Sequence, residues 1–256
     1  MGARQHLAII GDGAVAAAFL SVARLVPGDR LTLIGPNVHR FGAGRFYADH
    51  DARHPWRLAY LLDRPNGEMT EGFADWLAAE WPVLLPEIAV AQPLHVRRWS
   101  EALSEGAFGD FAAPRAIYGR YLARRSSERL AKLVEDGVQV QLITGLATDL
   151  SRADDQFRIT LASGEVIKAD RVDVATGGPA NQRFGVDAGP TAFTTLYDNE
   201  EAIARVLKPA WEVTCLGAST EVLDVMHFLR AAWPTQELRL RVLRDRATPA
   251  LDGDPE

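Results

Sequence analysis

Continuous apolar runs, separated by glycine-rich turns and amphipathic stretches, divide the 256-residue chain. Near its start, residues 7–10 and 31–34 are almost uninterrupted apolar runs, which predict buried strands. Residues 14–25 between them are rich in helix-forming residues and end before Pro27, which predicts a helix. The pattern therefore predicts a β-α-β unit at the beginning of a parallel sheet.

The middle of the chain is predicted to be irregular first and then helical. Residues 35–68 are rich in glycine, proline, histidine and arginine and show little clear period. Such a long irregular segment inside a compact domain is usually functional. Residues 69–80 predict a helix, and residues 115–135 predict a longer one that begins after Pro114 and ends before Gly137.

Strands dominate the next part of the chain. A hairpin is predicted within residues 155–170, with its turn at Ser163-Gly164. Residues 178–198 are predicted to be a loop. The remaining predicted elements are strands over residues 138–143, 171–176, 211–216 and 238–243 and helices over residues 199–207 and 220–231. Strand, glycine turn and helix thus occur in this order at both ends of the chain.

Composition and charge exclude several classes of partner and location for the protein. The formal net charge is −6, so a nucleic-acid or anionic-membrane partner, which needs a basic surface, is not expected. The single cysteine, Cys215, excludes an intramolecular disulfide and fits a reducing compartment. The sequence shows neither a signal peptide nor an apolar run long enough to span a bilayer, so a cytoplasmic location is expected.

The first glycine turn carries the strongest chemical signal. Residues 11–16 read G-D-G-A-V-A, directly after a predicted strand and at the start of a predicted helix. In this pattern the first glycine permits a tight turn, the second lets a diphosphate approach the backbone, and the third small residue lets the helix pack on the strand. The alternative is a tight turn without a ligand. The residues predicted to bind the cofactor here are Gly11, Asp12, Gly13, Ala14 and Val15.

The end of the second predicted strand lacks the acidic residue that usually binds the ribose hydroxyls. Gly35, Pro36 and Asn37 stand there instead. The Asn37 side chain can both donate and accept hydrogen bonds. These three residues are therefore predicted to lie against the cofactor on its ribose side.

Several segments together resemble the two-dinucleotide-binding-domain flavoproteins. Besides the first turn, residues 147–178 resemble the hairpin insertion of that class, followed by its Ala-Thr-Gly strand end. The resemblance implies that the hairpin, which starts at Ala147, closes over the adenosine side of FAD. It also implies that Ala175, Thr176 and Gly177 bring the backbone close to FAD.

A closer resemblance is to the bacterial proteins known as FAD/NAD(P)-binding proteins, and it extends over nearly the whole chain. Residues 41–60 and 67–80 are similar to the loop and the helix that follow the second strand in those proteins. Residues 111–125, FAAPRAIYGRYLARR, are similar to their Phe-x-Pro-Arg-x-x-Tyr-Gly-x-Tyr-Leu helix start. Residues 212–224 are similar to their second nucleotide turn.

These motifs add further candidate residues. Arg115 and Tyr118 stand at the helix start and are candidates for binding a phosphate or an anionic substrate. Gly217 and Ser219 in the second turn are candidates for binding NAD(P)H. A metal site is not predicted, because the D-H-D-A-R-H segment at residues 49–54 has no matching cluster elsewhere.

The resemblance also implies a division into two units. Residues 1–180 are expected to form an FAD-binding-like domain with a helical insertion over about residues 69–136, and residues 181–256 a partial NAD(P)-binding-like unit packed on it. The fold class is thus α/β: a Rossmann-like FAD-binding domain with a β-hairpin insertion, plus a partial second dinucleotide-binding unit. Family members are generally longer, so the chain is expected to be a shortened member without the usual C-terminal return to the FAD domain.

The implied function is that of an FAD-dependent oxidoreductase acting on an unidentified small molecule, with NAD(P)H as a further cofactor. The flavin would supply the reaction chemistry, which agrees with the lack of an evident protein acid or base. One alternative is a catalytically degenerate nucleotide-binding fold that serves as a binding module, in a homo-oligomer or as a subunit of a larger complex. A second alternative is an NAD(P)-only reductase.

Overall fold

The structure, a computed structural model, describes residues 4–49, 51, 54–177, 189, 191–197, 199–208, 212–217, 220–235, 237 and 239–243. The strands are β1 (His6–Ile10), β2 (Arg30–Gly35), β3 (Gln139–Thr144), β4 (Ala147–Ala153), β5 (Gln156–Leu161), β6 (Val166–Ala169), β7 (Arg171–Val174), β8 (Glu212–Leu216) and β9 (Arg239–Leu243). The helices are α1 (Ala14–Val22), α2 (Phe73–Ala91), α3 (Pro93–Ser104), α4 (Arg115–Glu135), α5 (Glu200–Val206) and α6 (Thr220–Ala232). Short 3₁₀ helices span Val38–Arg40, Pro55–Ala59 and Asn66–Glu68.

Four parallel strands form the central sheet, in the order β3-β2-β1-β7. Leu7 of β1 pairs with Leu31 on one side and with Arg171 on the other, so β1 lies inside the sheet. Strand β3 extends the sheet beyond β2, with Val140 opposite Leu31. Because the chain adds strands on both sides of β1, the strand order reverses there, and open α/β sheets bind ligands at such a point.

Alternate side chains of β1 enter two different cores. Leu7 packs in a cluster that contains Leu20 of α1 and Leu133 of α4. Ala8, which points the other way, packs in a cluster with Ile159 of the antiparallel sheet β4-β5-β6. Both faces of the parallel sheet are therefore covered, which explains why its first two strands are continuous apolar runs.

Helices α2 and α3 form a helical insertion that packs on the first part of α4. Phe73 and Ile88 of α2 are buried in one cluster with Tyr121 of α4. Helix α2 begins at Phe73 and continues through Pro82 and Pro86, so the predicted helix over residues 69–80 began too early and ended too early. A proline inside a helix costs about 3 kcal/mol, and burial of the apolar face on both sides of these prolines offsets that cost.

The C-terminal elements pack against the preceding part of the chain through an apolar cluster. Phe228 of α6 is buried with Tyr60 and Tyr197. Trp56 stands edge-to-face to Phe228, with ring centroids 5.1 Å apart. Strands β8 and β9 pair in parallel. The predicted domain boundary at residue 180 lies outside the described residues, so the division into two units stays a prediction.

The predicted α/β fold class is confirmed by the parallel sheet and its covering layers. The long helix is present at residues 115–135, and the predicted hairpin is present as β5 and β6, with β4 as a third strand. Among the described residues, no helix combines the length and the hydropathy needed to cross a bilayer.

Candidate cofactor-binding site

The turn between β1 and α1 has the backbone geometry that the glycine pattern predicts. Gly11 adopts a φ of +119°, a region that favours glycine. A Cβ atom on Gly11 would lie 2.2 Å from the carbonyl oxygen of Ala175. Only glycine therefore lets the chain turn this close to the end of β7.

Helix α1 begins directly after Gly13 and presents amide groups at the turn. The amide of Ala17 donates to the carbonyl oxygen of Gly13, which closes the first turn of the helix. The amides of Ala14, Val15 and Ala16 consequently have no intrahelical acceptor. Val15 is 58% exposed, and the first turn of α1 has no acidic side chain. This helix end is therefore accessible to an anion, which the helix dipole favours.

The segment after β2 folds back onto this turn. The amide of Gly42 donates to the carbonyl oxygen of Asp12 at 2.8 Å. A Cβ atom on Gly44 would lie only 2.7 Å from Cα of Gly13. Two glycine backbones thus touch and form a cradle without side chains beside the start of α1. Gly42 and Gly44 were not among the sequence-predicted site residues, because their contacts with Asp12 and Gly13 form only when the segment folds back.

The residues at the end of β2 surround the Asp12 side chain. The amide of Asn37 donates to Oδ2 of Asp12 at 2.5 Å. A Cβ atom on Gly35 would lie 2.9 Å from both Cβ and Oδ2 of the same aspartate. Pro36 and Asn37 are exposed beside it. Gly35 and the Asn37 amide therefore position the Asp12 carboxylate at this edge of the sheet.

The end of β7 lies beside the turn as well. The amide of Ala175 donates to the carbonyl oxygen of Ile10 at 2.7 Å, and the next two residues, Thr176 and Gly177, are exposed. Ala147 is placed differently, because it packs against the apolar cluster between the parallel sheet and β4-β5-β6. The structure thus brings the first turn and the Ala-Thr-Gly end together, and the cofactor contact of each residue stays a prediction.

A cavity of about 350 Å³ lies at the start of α4. The hydroxyl groups of Tyr118 and Thr70 are hydrogen-bonded at 2.5 Å in its wall. Tyr47, another wall residue, packs on α4 at Gly119, where a Cβ atom would lie 1.9 Å from the Tyr47 carbonyl oxygen. Burial raises the pKa of the Tyr47 hydroxyl. The complete lining is Tyr47, Asp63, Arg64, Glu68, Met69, Thr70 and Tyr118.

Of the two predicted substrate residues, only Tyr118 lines this cavity. Arg115 is 4% exposed and its Nη1 lies 2.6 Å from Oδ2 of Asp224 in α6. The same nitrogen donates to the Tyr197 hydroxyl at 2.8 Å, and Nε donates to the carbonyl oxygen of Leu61 at 3.0 Å. The Arg115 guanidinium is therefore engaged by protein groups, and its role in anion binding stays a prediction.

The second glycine turn is described in part. Gly217, between β8 and α6, adopts a φ of +102°. Ser219 lies outside the described residues. Burial raises the pKa of the nearby Cys215 thiol, which leaves it a weak nucleophile at neutral pH. Binding of NAD(P)H at this turn stays a prediction.

Solved structures of larger proteins are similar to this chain. One is OTEMO in complex with FAD and NADP, with 12% identity, a TM-score of 0.48, and coverage of 94% of this chain and 39% of the other. The lysine monooxygenase NbtG from Nocardia farcinica has 13% identity and a TM-score of 0.48, with coverage of 93% and 60%. A flavin monooxygenase from Stenotrophomonas maltophilia has 14% identity and a TM-score of 0.44, with coverage of 95% and 59%. The chain thus spans less than two thirds of the length of each.

No curated protein matches the sequence. The family model described as FAD-NAD(P)-binding, however, matches residues 8–179, which is more than half of the chain. The match includes the first turn, the segment that folds back on it, the helical insertion and the strand end at β7. It confirms the predicted resemblance and the predicted FAD/NAD(P) cofactor class. The chain belongs to the FAD-NAD(P)-binding family.

Proposed function

We propose that this protein is an FAD-dependent oxidoreductase that binds the FAD diphosphate at the start of α1. The observation that carries the proposal is the side-chain-free cradle of Gly13 and Gly44 next to the amides of Ala14 and Val15. A diphosphate requires close approach to the backbone and several N–H donors, and this turn offers both. When bound, the flavin supplies the hydride or electron transfer that protein side chains do not provide.

The cavity beside Tyr118 is the proposed site of a small-molecule substrate. Tyr47 in its wall follows Gly44 by three residues, so the chain places it within about 10 Å of the cradle. The volume of about 350 Å³ suits a small molecule. The polar wall groups Thr70, Tyr118 and Arg64 can orient such a ligand by hydrogen bonds.

The C-terminal unit is the proposed site for NAD(P)H. Its order of strand, glycine turn and helix repeats that of the first unit, with Gly217 in the left-handed region. This part of the proposal includes the division at residue 180, with the two units packed through Trp56 and Phe228. A nicotinamide cofactor held here would serve as the electron donor to the flavin.

The test uses the purified full chain and a variant of the cradle. Gly13 has a φ of −89°, and a Cβ atom there would meet its nearest neighbour, Cα of Gly44, at 4.0 Å. Gly13→Ala is therefore compatible with the fold, with a stability loss below about 1 kcal/mol. Its methyl group enters the cradle, so FAD affinity in a fluorescence titration should fall by at least about tenfold.

The outcomes separate the three functions. Visible flavin absorption in the purified protein, or saturable FAD binding that Gly13→Ala weakens, supports the oxidoreductase. An absence of FAD binding by the wild-type chain overturns it; a co-purifying partner would then favour the binding-module alternative. Thermal stabilisation by NADPH without any by FAD would favour the NAD(P)-only reductase.

A further inference from the structure

The missing acid at the end of β2 leaves the ribose of the cofactor without its usual ligand. In dinucleotide-binding folds an acidic residue there accepts hydrogen bonds from the ribose hydroxyls. Position 35 of this chain is glycine, and its backbone is outside the left-handed region, so its conformation alone does not require glycine. The reason for Gly35 must therefore be the space around it.

The Asp12 side chain fills that space. Its Cβ and Oδ2 lie 2.9 Å from the position that a Cβ atom on Gly35 would take, and its Cγ lies 3.0 Å away. A side chain at position 35 would collide with this carboxyl group. The carboxylate that β2 would normally supply is thus replaced by one that comes from the glycine turn itself.

The protein fixes one oxygen of this carboxylate and leaves the other available. The amide of Asn37 donates to Oδ2 at 2.5 Å, which sets the orientation of the group. Within the described part of the chain, no donor reaches Oδ1, and Oδ1 is not among the fully enclosed polar atoms. A carboxylate oxygen that accepts no hydrogen bond and touches solvent is suited to bind a ligand hydroxyl.

We infer that Asp12 is the ligand of the ribose hydroxyls of the adenosine half of the cofactor. The Asn37 backbone amide, rather than the Asn37 side chain, then supports this contact by holding Oδ2. The inference rests on the proposed nucleotide binding at the first turn, but not on the flavin at the far end of the cofactor. It concerns only how the protein binds the adenosine diphosphate part of the cofactor.

The experiment compares ADP with 2′-deoxy-ADP by isothermal titration calorimetry on the full chain. The wild-type protein should prefer ADP by at least about tenfold, because a hydrogen bond to a charged group is lost with the 2′-hydroxyl. Asp12→Asn should lower ADP affinity by about the same factor and 2′-deoxy-ADP affinity by less, because only a contact to the 3′-hydroxyl remains to be lost there. Glu105→Gln, which neutralises an exposed acid at the end of α3, is the charge-matched control. Loss of ADP binding in Gly13→Ala would show that the ADP binds at the first turn.

A second pair of variants tests the inference even if Asp12→Asn does not fold. Asp12→Gly combined with Gly35→Glu returns the acid to β2, and Asp12→Gly combined with Gly35→Gln differs from it only in charge. The glutamate form should regain the preference for ADP over 2′-deoxy-ADP, and the glutamine form should not.

Each result supports or overturns the assignment. Equal loss of both nucleotides in Asp12→Asn would show a structural role and overturn it, as would unchanged ADP binding. A loss confined to Asn37→Ala would assign the ribose to the Asn37 side chain instead. If the ADP preference depends on Asp12 but FAD does not bind, the inference stands and the proposed flavin function fails. If the wild-type chain binds no adenosine nucleotide, both fail.

Discussion

The first turn requires glycine at position 11, because a side chain there would collide with the end of β7. Gly11→Ala adds a methyl group 2.2 Å from the Ala175 carbonyl oxygen, at a φ of +119°. Both the collision and the backbone strain act against the native turn, so the free energy of unfolding should fall by about 2–4 kcal/mol. Urea denaturation followed by circular dichroism measures the change.

Gly164 provides the control for this substitution. It lies at the hairpin turn with a φ of +86°, and no described atom lies within 4 Å of the position of its Cβ. Gly164→Ala places alanine at an unfavourable positive φ but causes no steric overlap. The free energy of unfolding should therefore fall by only about 1 kcal/mol. Equal losses in the two variants would contradict the close contact between the first turn and β7.

Single residues of the site were predictable where the signal is local. Gly11 and Gly13 follow a strand and precede a helix, and this order alone predicts the tight turn between the two elements. Gly44 could not be assigned in the same way, because its importance arises from a fold-back contact with Gly13. Arg115 illustrates the same limit, since its partner Asp224 is 109 residues away and no spacing rule connects them.

At the scale of elements, the predictions succeeded where an apolar face has one clear period. Helix α4 ends where expected because Gly137, with a φ of +84°, stops it. Helix α2 was underestimated because Pro82 suggests an end, whereas Leu84 and Ile88 beyond it are buried in the core of the insertion. Tertiary packing overrides local propensity in such a case.

The ion pair between α4 and α6 gives a prediction at this scale. The side chains of Arg115 and Asp224 are 4% and 2% exposed, so Asp224→Ala leaves a buried cation without its partner. The free energy of unfolding should fall by about 3–5 kcal/mol. The exposed pair of Arg124 and Glu128 is the control, and Glu128→Ala should cost no more than about 0.5 kcal/mol.

A paired replacement separates charge burial from packing at this contact. Arg115→Met combined with Asp224→Leu removes both charges while keeping side chains of similar size. It should recover most of the stability lost in Asp224→Ala, because an uncompensated charge no longer remains in the interior. If the double variant is as unstable as Asp224→Ala, the loss comes from packing rather than from the stranded cation.

At the scale of the whole molecule, three half-buried histidines make the stability of the fold depend on pH. They lie in β1, α3 and α6, and burial lowers the pKa of His6, His95 and His227 below the ordinary value of 6.5. The folded protein therefore binds fewer protons than the unfolded chain once the pH falls below about 7. Its stability should decrease as the pH falls through the interval between the unfolded and the folded pKa values.

Urea denaturation between about pH 7.5 and pH 5.5 tests this dependence. His95 is the most direct probe, because its Nε2 donates to the Ala112 carbonyl oxygen at 2.9 Å and its ring stacks on Phe111. His95→Gln keeps a donor but cannot titrate, so it should reduce the slope of stability against pH; His39→Gln, at an exposed histidine, is the control substitution. A single transition at each pH would mean that α3 unfolds together with the sheet, so that the titration of His95 contributes to the stability of the whole chain. Stability that stays constant or rises on acidification would contradict the assignment of these histidines as neutral groups in the folded protein.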